Sequence, residues 1–551
     1  MDALRRSLQA IAVVFSNPEM RRLQLAWAGQ SLSIWSFAIA LGVYAFDASG
    51  TTAVGVAALV RLLPGALAAP FGGLVGDRSS RRTVLVASAI GNAALLGLAT
   101  VAAAMDASVG MVFALAGLST VAICPYVPAE GALMPLVARS PHELSAANVA
   151  HSAMDNFGFL AAGLISGVLL AVASPQAVFG MAAIAGLASA LLLLRLRPDA
   201  RPDYAAETSG RVIADVGLGA RSLLVDPRLR LVAGAMTLTL FWEGAVDVLA
   251  VIIALDLLGL SQGAVGYLNA AWGIGALLGG GALALLLHRG QLAAGVVIGC
   301  LIAGLSLALP GVWVAAAAGY IAWSGMGLGY TFVEVAGRTL LQRLGSDETL
   351  ARALSFLESA RFAVMALGSI AVPALIALLG VRGTAIAFGA ILPAFAVLRW
   401  SALRALEIGA PVNADRYRLL RGHPIFAPLS MDTLERVSHD LVPVTPGPGE
   451  EIVTQGQPGR RFYVIAAGAV EVRIDGEFRR NQEAGECFGE IALLQDVPRT
   501  ASVTALPGCR LFALERHHFI AAVTGHRRSG EAAAMVAEER LRVRETAQSA
   551  T

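Results

Sequence analysis

Residues 73–82 read Gly73-Leu74-Val75-Gly76-Asp77-Arg78-Ser79-Ser80-Arg81-Arg82. This polar joint lies between apolar stretches at 52–76 and 83–105, each long enough to cross about 30 Å of hydrocarbon. A short joint between two segments of that length turns at a bilayer surface, and its arginines place it on the cytoplasmic side. Composition agrees, because 551 residues at 56% hydrophobic and 15% charged lie outside the range of soluble chains. The mean hydropathy is +0.68.

Working outward, further apolar stretches fall at 22–46, 109–137, 147–173, 176–196, 230–257, 262–287, 291–310, 313–337, 351–379 and 383–404. With the two flanking the joint they predict about twelve transmembrane helices. Arg139, Arg201, Arg211, Arg221, Arg228, Arg289, Arg343 and Arg352 occupy the same set of alternate loops as Arg78, whereas the opposite set holds Asp47, Asp106, Asp256 and Arg382. Both termini are therefore expected in the cytoplasm of a cell whose inner or plasma membrane holds the chain. The first twenty residues lack the apolar core and cleavage site of a signal peptide.

The two halves echo one another. Asn17-Pro18 is matched by Asp226-Pro227, Asp47 and Gly50 by Asp256 and Gly259, and Ala53-Val54-Gly55 by Ala264-Val265-Gly266, at an offset of about 209 to 211 residues. Parallel six-helix repeats with a path at their interface are one way to build a secondary transporter. The expected layout is a cytoplasmic segment 1–21, a six-helix half 22–197, a cytoplasmic loop 198–229, a second half 230–404, a linker 405–424, a soluble domain 425–546 and a tail 547–551.

In this setting the joint at 73–82 resembles the signature loop of the major facilitator superfamily, Gly-x-x-x-Asp-Arg followed by paired basic residues, with Ser80 where that family usually has Gly. The resemblance implies a latch in which Asp77, Arg78, Arg81 and Arg82 hold the cytoplasmic ends of the halves together. An Asp at a helix end and arginines facing carboxylates suit that role.

Ionisable residues inside the spans are costly in lipid and mark a path or a pair. Glu243 and Asp247 stand four apart on one helix face. They either form a coupled pair that carries a proton or recognises a cation, or are held structurally by Arg61 or another arginine. Asp155 is the next candidate, with Arg361 as its opposite number. Glu358 and Arg361 are spaced to pair locally, as are Glu334 and Arg338. Glu130, beside Pro128, lines the path or supports a kink.

Beyond Leu403 the composition turns soluble, and short strands follow, among them Val470 to Ile474 paired with Glu477 to Arg480 across Asp475-Gly476. Close-set strands predict a small β-barrel or jelly roll with flanking helices, appended to a mainly α membrane protein. Gly449-Glu450-Glu451-Ile452, Gln455-Gly456, Phe462-Tyr463-Val464-Ile465, Gly468, Gly489-Glu490 and Pro498-Arg499-Thr500-Ala501 resemble the cyclic-nucleotide-binding domain, including its phosphate-binding cassette.

That resemblance implies cAMP or cGMP as a regulatory ligand. Arg499 would hold the cyclic phosphate, Glu490 the ribose 2′-hydroxyl, and the backbone N–H groups of Gly489, Ile491 and Ala492 would face the anion. Thr500, before Ala501, can contact guanine in this family, yet cAMP binders also carry it, so the base stays open. A helix at 531–546 stands where the family has a lid, with Met535 or Val536 placed to cap the base.

The four cysteines are scattered without metal or disulfide spacing. No Walker loop or nucleophile elbow appears, so the chain reads as neither an enzyme nor an ATP-driven pump. No DNA-reading surface follows the soluble domain, so nucleic acid is not an expected partner. The leading reading is an efflux-type secondary transporter in a lipid bilayer, coupled to a proton or other cation and regulated by cyclic nucleotide. The alternatives are a membrane receptor that moves no substrate and a constitutive transporter with a vestigial sensor.

Overall fold

The computed structural model describes residues 14–197, 223, 225–287, 291–344, 347–408, 414–429, 431–524 and 535, while side chains within 69–78 and 347–355 stay outside the description. The chain forms two compact units, Met1–Glu407 and Ile408–Thr551.

In the first unit the amino-terminal helices are α1 (Pro18–Arg78), α2 (Arg81–Ala104), α3 (Val109–Ile123), α4 (Tyr126–Val137), α5 (Pro141–Val172) and α6 (Pro175–Leu194). After the central loop come α7 (Pro227–Ile252), α8 (Gln262–Leu287), α9 (Leu292–Val312), α10 (Ala316–Leu344), α11 (Asp347–Leu398) and α12 (Trp400–Ile408). Among the described residues eight helical spans are long and apolar enough to cross a membrane. Two of them turn sharply, α1 at Ser49-Gly50 and α11 at Gly380, each glycine at φ +68. Each turn separates two membrane-length arms. With α8 and α10 the described residues then supply the twelve segments expected, α3 and α4 counting as one span broken at Cys124-Pro125.

The duplication is visible in local geometry. Asn17 and Asp226 both cap helices that begin with proline, Asn17 accepting from Glu19 N at 3.1 Å and Asp226 from Arg228 N at 2.8 Å. Gly50 and Gly259 both adopt positive φ, +68 and +59. A side chain there would be strained, which is why the repeat keeps glycine at the turn.

The halves meet along two seams, α5 against α8 and α1 against α11. At the first seam a Cβ added to Gly263 would sit 2.6 Å from the Gly167 carbonyl oxygen, and one on Gly266 would sit 2.6 Å from that of Gly163. Only glycine permits this approach, the small-residue packing that membrane helices use. Asp47 also accepts from Gln262 Nε2 at 2.8 Å, joining the halves at the same end.

Of the four latch candidates, the side chains of Asp77 and Arg78 lie outside the described residues. Arg82 donates to the Leu194 carbonyl at 2.6 Å, and Arg22 to that of Arg195 at 2.9 Å. These cations satisfy the carboxyl end of α6, so the Arg82 bond lies within the first half and not across the seam. Most of the central loop 198–229 is likewise undescribed.

The second unit opens with α13 (Ala414–Gly422) and α14 (Met431–Asp440), so part of the segment expected as linker is helical and belongs to this unit. Strands β1 (Val442–Val444), β2 (Glu451–Val453), β3 (Arg461–Ala467), β4 (Ala469–Ile474), β5 (Glu477–Glu483), β6 (Cys487–Phe488), β7 (Ser502–Ala505) and β8 (Arg510–Glu515) follow, with α15 (Glu490–Leu494) inserted and α16 (Arg516–Thr524) last. They form two antiparallel sheets, ordered β1-β8-β3-β6 and β2-β7-β4-β5, as in a jelly roll. The β4–β5 hairpin turns at Asp475-Gly476 with φ +55 and +81, the geometry such a pair favours. Phe462 stacks on Phe519 at 4.5 Å and fixes α16 to the first sheet.

Candidate functional site

Between the halves of the first unit lies a cavity of about 670 Å³, a size suited to a small molecule. Trp35, Phe159, Trp272, Trp323 and Tyr330 give it aromatic walls. The glycine seam and the Asp47–Gln262 bond close one end. At the other end Arg338 and Glu358 line the cavity, with side chains 41% and 53% exposed.

Every transport-path residue expected from the sequence lines this one cavity: Arg61, Asp155, Glu243, Asp247, Glu358 and Arg361. Their partners differ from several of the expectations. Arg361 pairs with Glu243 at 3.3 Å, and not with its neighbour Glu358. Glu358 instead meets Arg338 at 2.8 Å, and Arg338 also holds Glu334 at 2.9 Å, the one expected local pair that forms. Arg61 bonds Asp247 at 3.2 Å across the two halves. Glu243 and Asp247 thus each have an arginine, the structural alternative left open by their spacing. Asp155 accepts from the Ser31 hydroxyl at 3.0 Å.

His151 was not singled out in the sequence. It lines the cavity, stacks on Trp27 at 4.8 Å and lies 3.4 Å from Glu130 through Nδ1. Its signal was available, since His151 and Asp155 stand four apart on α5 and so share a face. Glu130 is buried behind it, 1% exposed.

In the second unit the cassette is built on a turn that only glycine tolerates. Gly489 caps α15 at φ +91, and a Cβ there would run into the Arg499 guanidinium. Glu490 follows, 1% exposed, with Ala492 also buried and Ile491 half-buried. Gly459 approaches from the other side, where an added Cβ would lie 2.8 Å from Ala492 Cβ and 3.2 Å from Arg499 Cζ.

Arg499 itself is 7% exposed, and its backbone is fixed at both ends. Its N–H donates to Gln457 O at 2.8 Å and its carbonyl accepts from Gly456 N at 2.8 Å. The guanidinium donates to Gly489 O at 3.0 Å and Arg461 O at 2.6 Å. Burial lowers its pKa from the usual arginine value, while Tyr463 and Glu490 offset part of that effect. It stays a cation, because no ordinary burial brings arginine near neutrality.

A guanidinium has five N–H donors, and the two carbonyls engage two of its nitrogens. A desolvated cation held this way, beside the first-turn N–H groups of a short helix, can grip an anion bidentately. Thr500 and Ala501 continue the chain, both half-buried. Arg461 was missed in the sequence as a contributor, since it acts through its backbone carbonyl. Of the lid expected over 531–546, Met535 is helical and exposed, and the rest, with Val536, lies outside the described residues.

Comparison with known families agrees with both geometries. The Major Facilitator Superfamily model matches residues 25–349. The chain belongs to that superfamily. The family model of the Cyclic nucleotide-binding domain matches residues 444–526, so this superfamily member carries a cyclic nucleotide-binding domain after its transporter domain. The crystal structure of the nucleoside transporter NupG superposes with a TM-score of 0.56 at 14% identity, covering 70% of this chain and 98% of that one. At that identity the likeness speaks for the fold alone.

The second unit is similar to cAMP-dependent protein kinase regulatory subunits. That of Yarrowia lipolytica is 30% identical over 138 residues, 25% of this chain and 37% of that protein. That of Dictyostelium discoideum is 41% identical over 99 residues, 16% of this chain and 30% of that protein. The chain therefore spans about a third of these curated relatives.

Proposed function

We propose that this superfamily member is a secondary active transporter that exports a small molecule, and that cyclic AMP or cyclic GMP bound to its second unit biases its alternating access. The observation that carries the regulatory part is Arg499: a buried cation with donors to spare, set against the positive-φ Gly489 cap. An ordinary structural arginine has no need of that arrangement. In this reading Arg499 grips the cyclic phosphate, Glu490 the ribose hydroxyl, and Gly489, Ile491, Ala492, Thr500 and Ala501 shape the rest of the pocket.

The aromatic cavity, with Arg61, Asp155, Glu243, Asp247, Glu358 and Arg361 on its wall, is the substrate path. In this reading its open end faces the cytoplasm, the side that the positive-inside rule assigns to the arginine-bearing loops. Asp77, Arg78, Arg81 and Arg82 serve the conformational latch at that surface. A coupling free energy of about 1 to 3 kcal/mol between nucleotide and conformation would change flux several-fold.

The test is a metabolite and toxin-resistance comparison of cells carrying the wild-type chain, Arg499→Ala or no chain, with cyclic nucleotide raised and lowered. Export that follows nucleotide in the wild type and ignores it in Arg499→Ala supports the reading. Export indifferent to nucleotide in both supports a vestigial sensor, and no difference from cells lacking the chain supports a receptor.

A further inference from the structure

We propose that Glu130, His151 and Asp155 form a proton-carrying site in the amino-terminal half. A coupling proton is held there, and not on Glu243 or Asp247. The use of that proton rests on the transporter reading, but its binding does not.

Two buried glutamates in this half make the contrast. Glu143, 4% exposed, is a saturated carboxylate: one oxygen accepts from Asn17 Nδ2 at 2.8 Å and the other from Arg139 N at 2.7 Å. Glu130, 1% exposed, has neither oxygen hydrogen-bonded among the described residues, and His151 Nδ1 stands 3.4 Å from it. A bare carboxylate at that depth is too costly to persist alone. The inexpensive state is one in which Glu130 and His151 share a proton, as carboxylic acid and imidazole or as carboxylate and imidazolium. The indole face of Trp27, stacked on His151 at 4.8 Å and 19°, favours the imidazolium form.

The other groups around the trio do not compete for the proton. Ser31 of α1 donates to Asp155, and Tyr126 of α4 contributes a buried ring 5.7 Å from Trp27. Arg361 of α11 faces Asp155 but is bound to Glu243. Within 175–194 of α6 the sequence has no ionisable residue, and in α8 Tyr267 packs against Gly167, away from the trio. In α2, Arg82 is spent on the Leu194 carbonyl. Protonating Glu243 or Asp247, by contrast, would strip a guanidinium of its counter-ion.

The route is short. Asp155 and His151 both line the cavity, one helical turn apart on α5, with Glu130 behind. A proton entering from cavity water at Asp155 passes to His151 and is shared with Glu130, and it leaves by the reverse path. Only O–H and N–H bonds form and break.

Infrared difference spectra of the full-length protein in lipid nanodiscs, taken across pH without any substrate, test this directly. A titrating carboxyl band, of the protonated acid or of a carboxylate perturbed by the neighbouring imidazolium, is expected in the wild type. It should vanish in Glu130→Gln, move its midpoint in His151→Gln, and remain in Glu243→Gln and Asp247→Asn. A band that survives Glu130→Gln, or that disappears in Glu243→Gln, overturns the proposal.

Tryptophan fluorescence gives a second reading that tolerates poor folding of one variant, because an imidazolium quenches the indole it stacks on. A fall on acidification that is lost in Trp27→Phe is expected, and pH-independent emission in the wild type contradicts the site. A protein that binds this proton yet moves no substrate would sink the transporter reading and leave the proton site standing.

Discussion

Arg61 and Asp247, 186 positions apart, meet at 3.2 Å and bridge the two halves of the membrane unit beside the cavity. Both side chains are largely shielded, at 15% and 30% exposure, so removing one strands the other. Asp247→Ala or Arg61→Ala alone is expected to lower stability by about 1 to 3 kcal/mol. The double change to alanine should cost clearly less than the sum of the two. Thermal unfolding in detergent measures all three, and strict additivity would show that the pair contributes nothing.

The cassette makes a sharper claim. Arg499→Ala should weaken cyclic nucleotide binding by about 2 kcal/mol or more, roughly thirty-fold in Kd. Arg499→Lys should fall between, because a single ammonium cannot reproduce the fork. Calorimetry on the full chain with cAMP and with cGMP decides it, and also decides the base that Thr500 leaves open.

At Gly489, alanine would combine a left-handed φ of +91 with a Cβ pressed into the Arg499 guanidinium. The expected cost is about 1 to 3 kcal/mol in the second unit, together with loss of nucleotide affinity. Gly485→Ala serves as the control, since φ there is also positive (+96) but a Cβ meets nothing within 4 Å. Equal nucleotide affinities in the two variants would contradict the overlap with Arg499.

Gly266 tests the seam. Gly266→Val would drive a branched side chain into the α5 backbone and should destabilise the protein by about 1 to 3 kcal/mol, whereas Gly280→Ala, with nothing within 4 Å, should be near neutral. Similar melting points for both would mean the halves do not approach there as described.

The features legible in the sequence are those that local chemistry dictates. Asn17-Pro18 and Asp226-Pro227 announce helix starts, Gly50 and Gly259 announce the turns between spans, and Asp475-Gly476 announces a hairpin, because each acts within a few residues of itself. The cyclic nucleotide-binding domain was legible for the same reason, with Gly489, Glu490 and Arg499 on one short connection.

The ion pairs were not legible. Spacing suggested Glu358 with Arg361, but Arg361 reaches Glu243, 118 positions away, because α7 and α11 pack side by side. His151 escaped notice because its meaning depends on Glu130 and Trp27, which α4 and α1 bring to it. A helix face can be read from periodicity, whereas the identity of the face opposite it cannot.

The central claim is that nucleotide on the second unit is felt by the membrane unit. Hydrogen exchange of the full-length protein in nanodiscs, with and without cAMP or cGMP, in wild type and Arg499→Ala, tests it most directly. The account predicts that nucleotide changes exchange in the cavity-lining segments of α10 and α11 in the wild type and leaves them unchanged in Arg499→Ala. Nucleotide that protects 444–526 while exchange throughout 18–408 stays the same would contradict it.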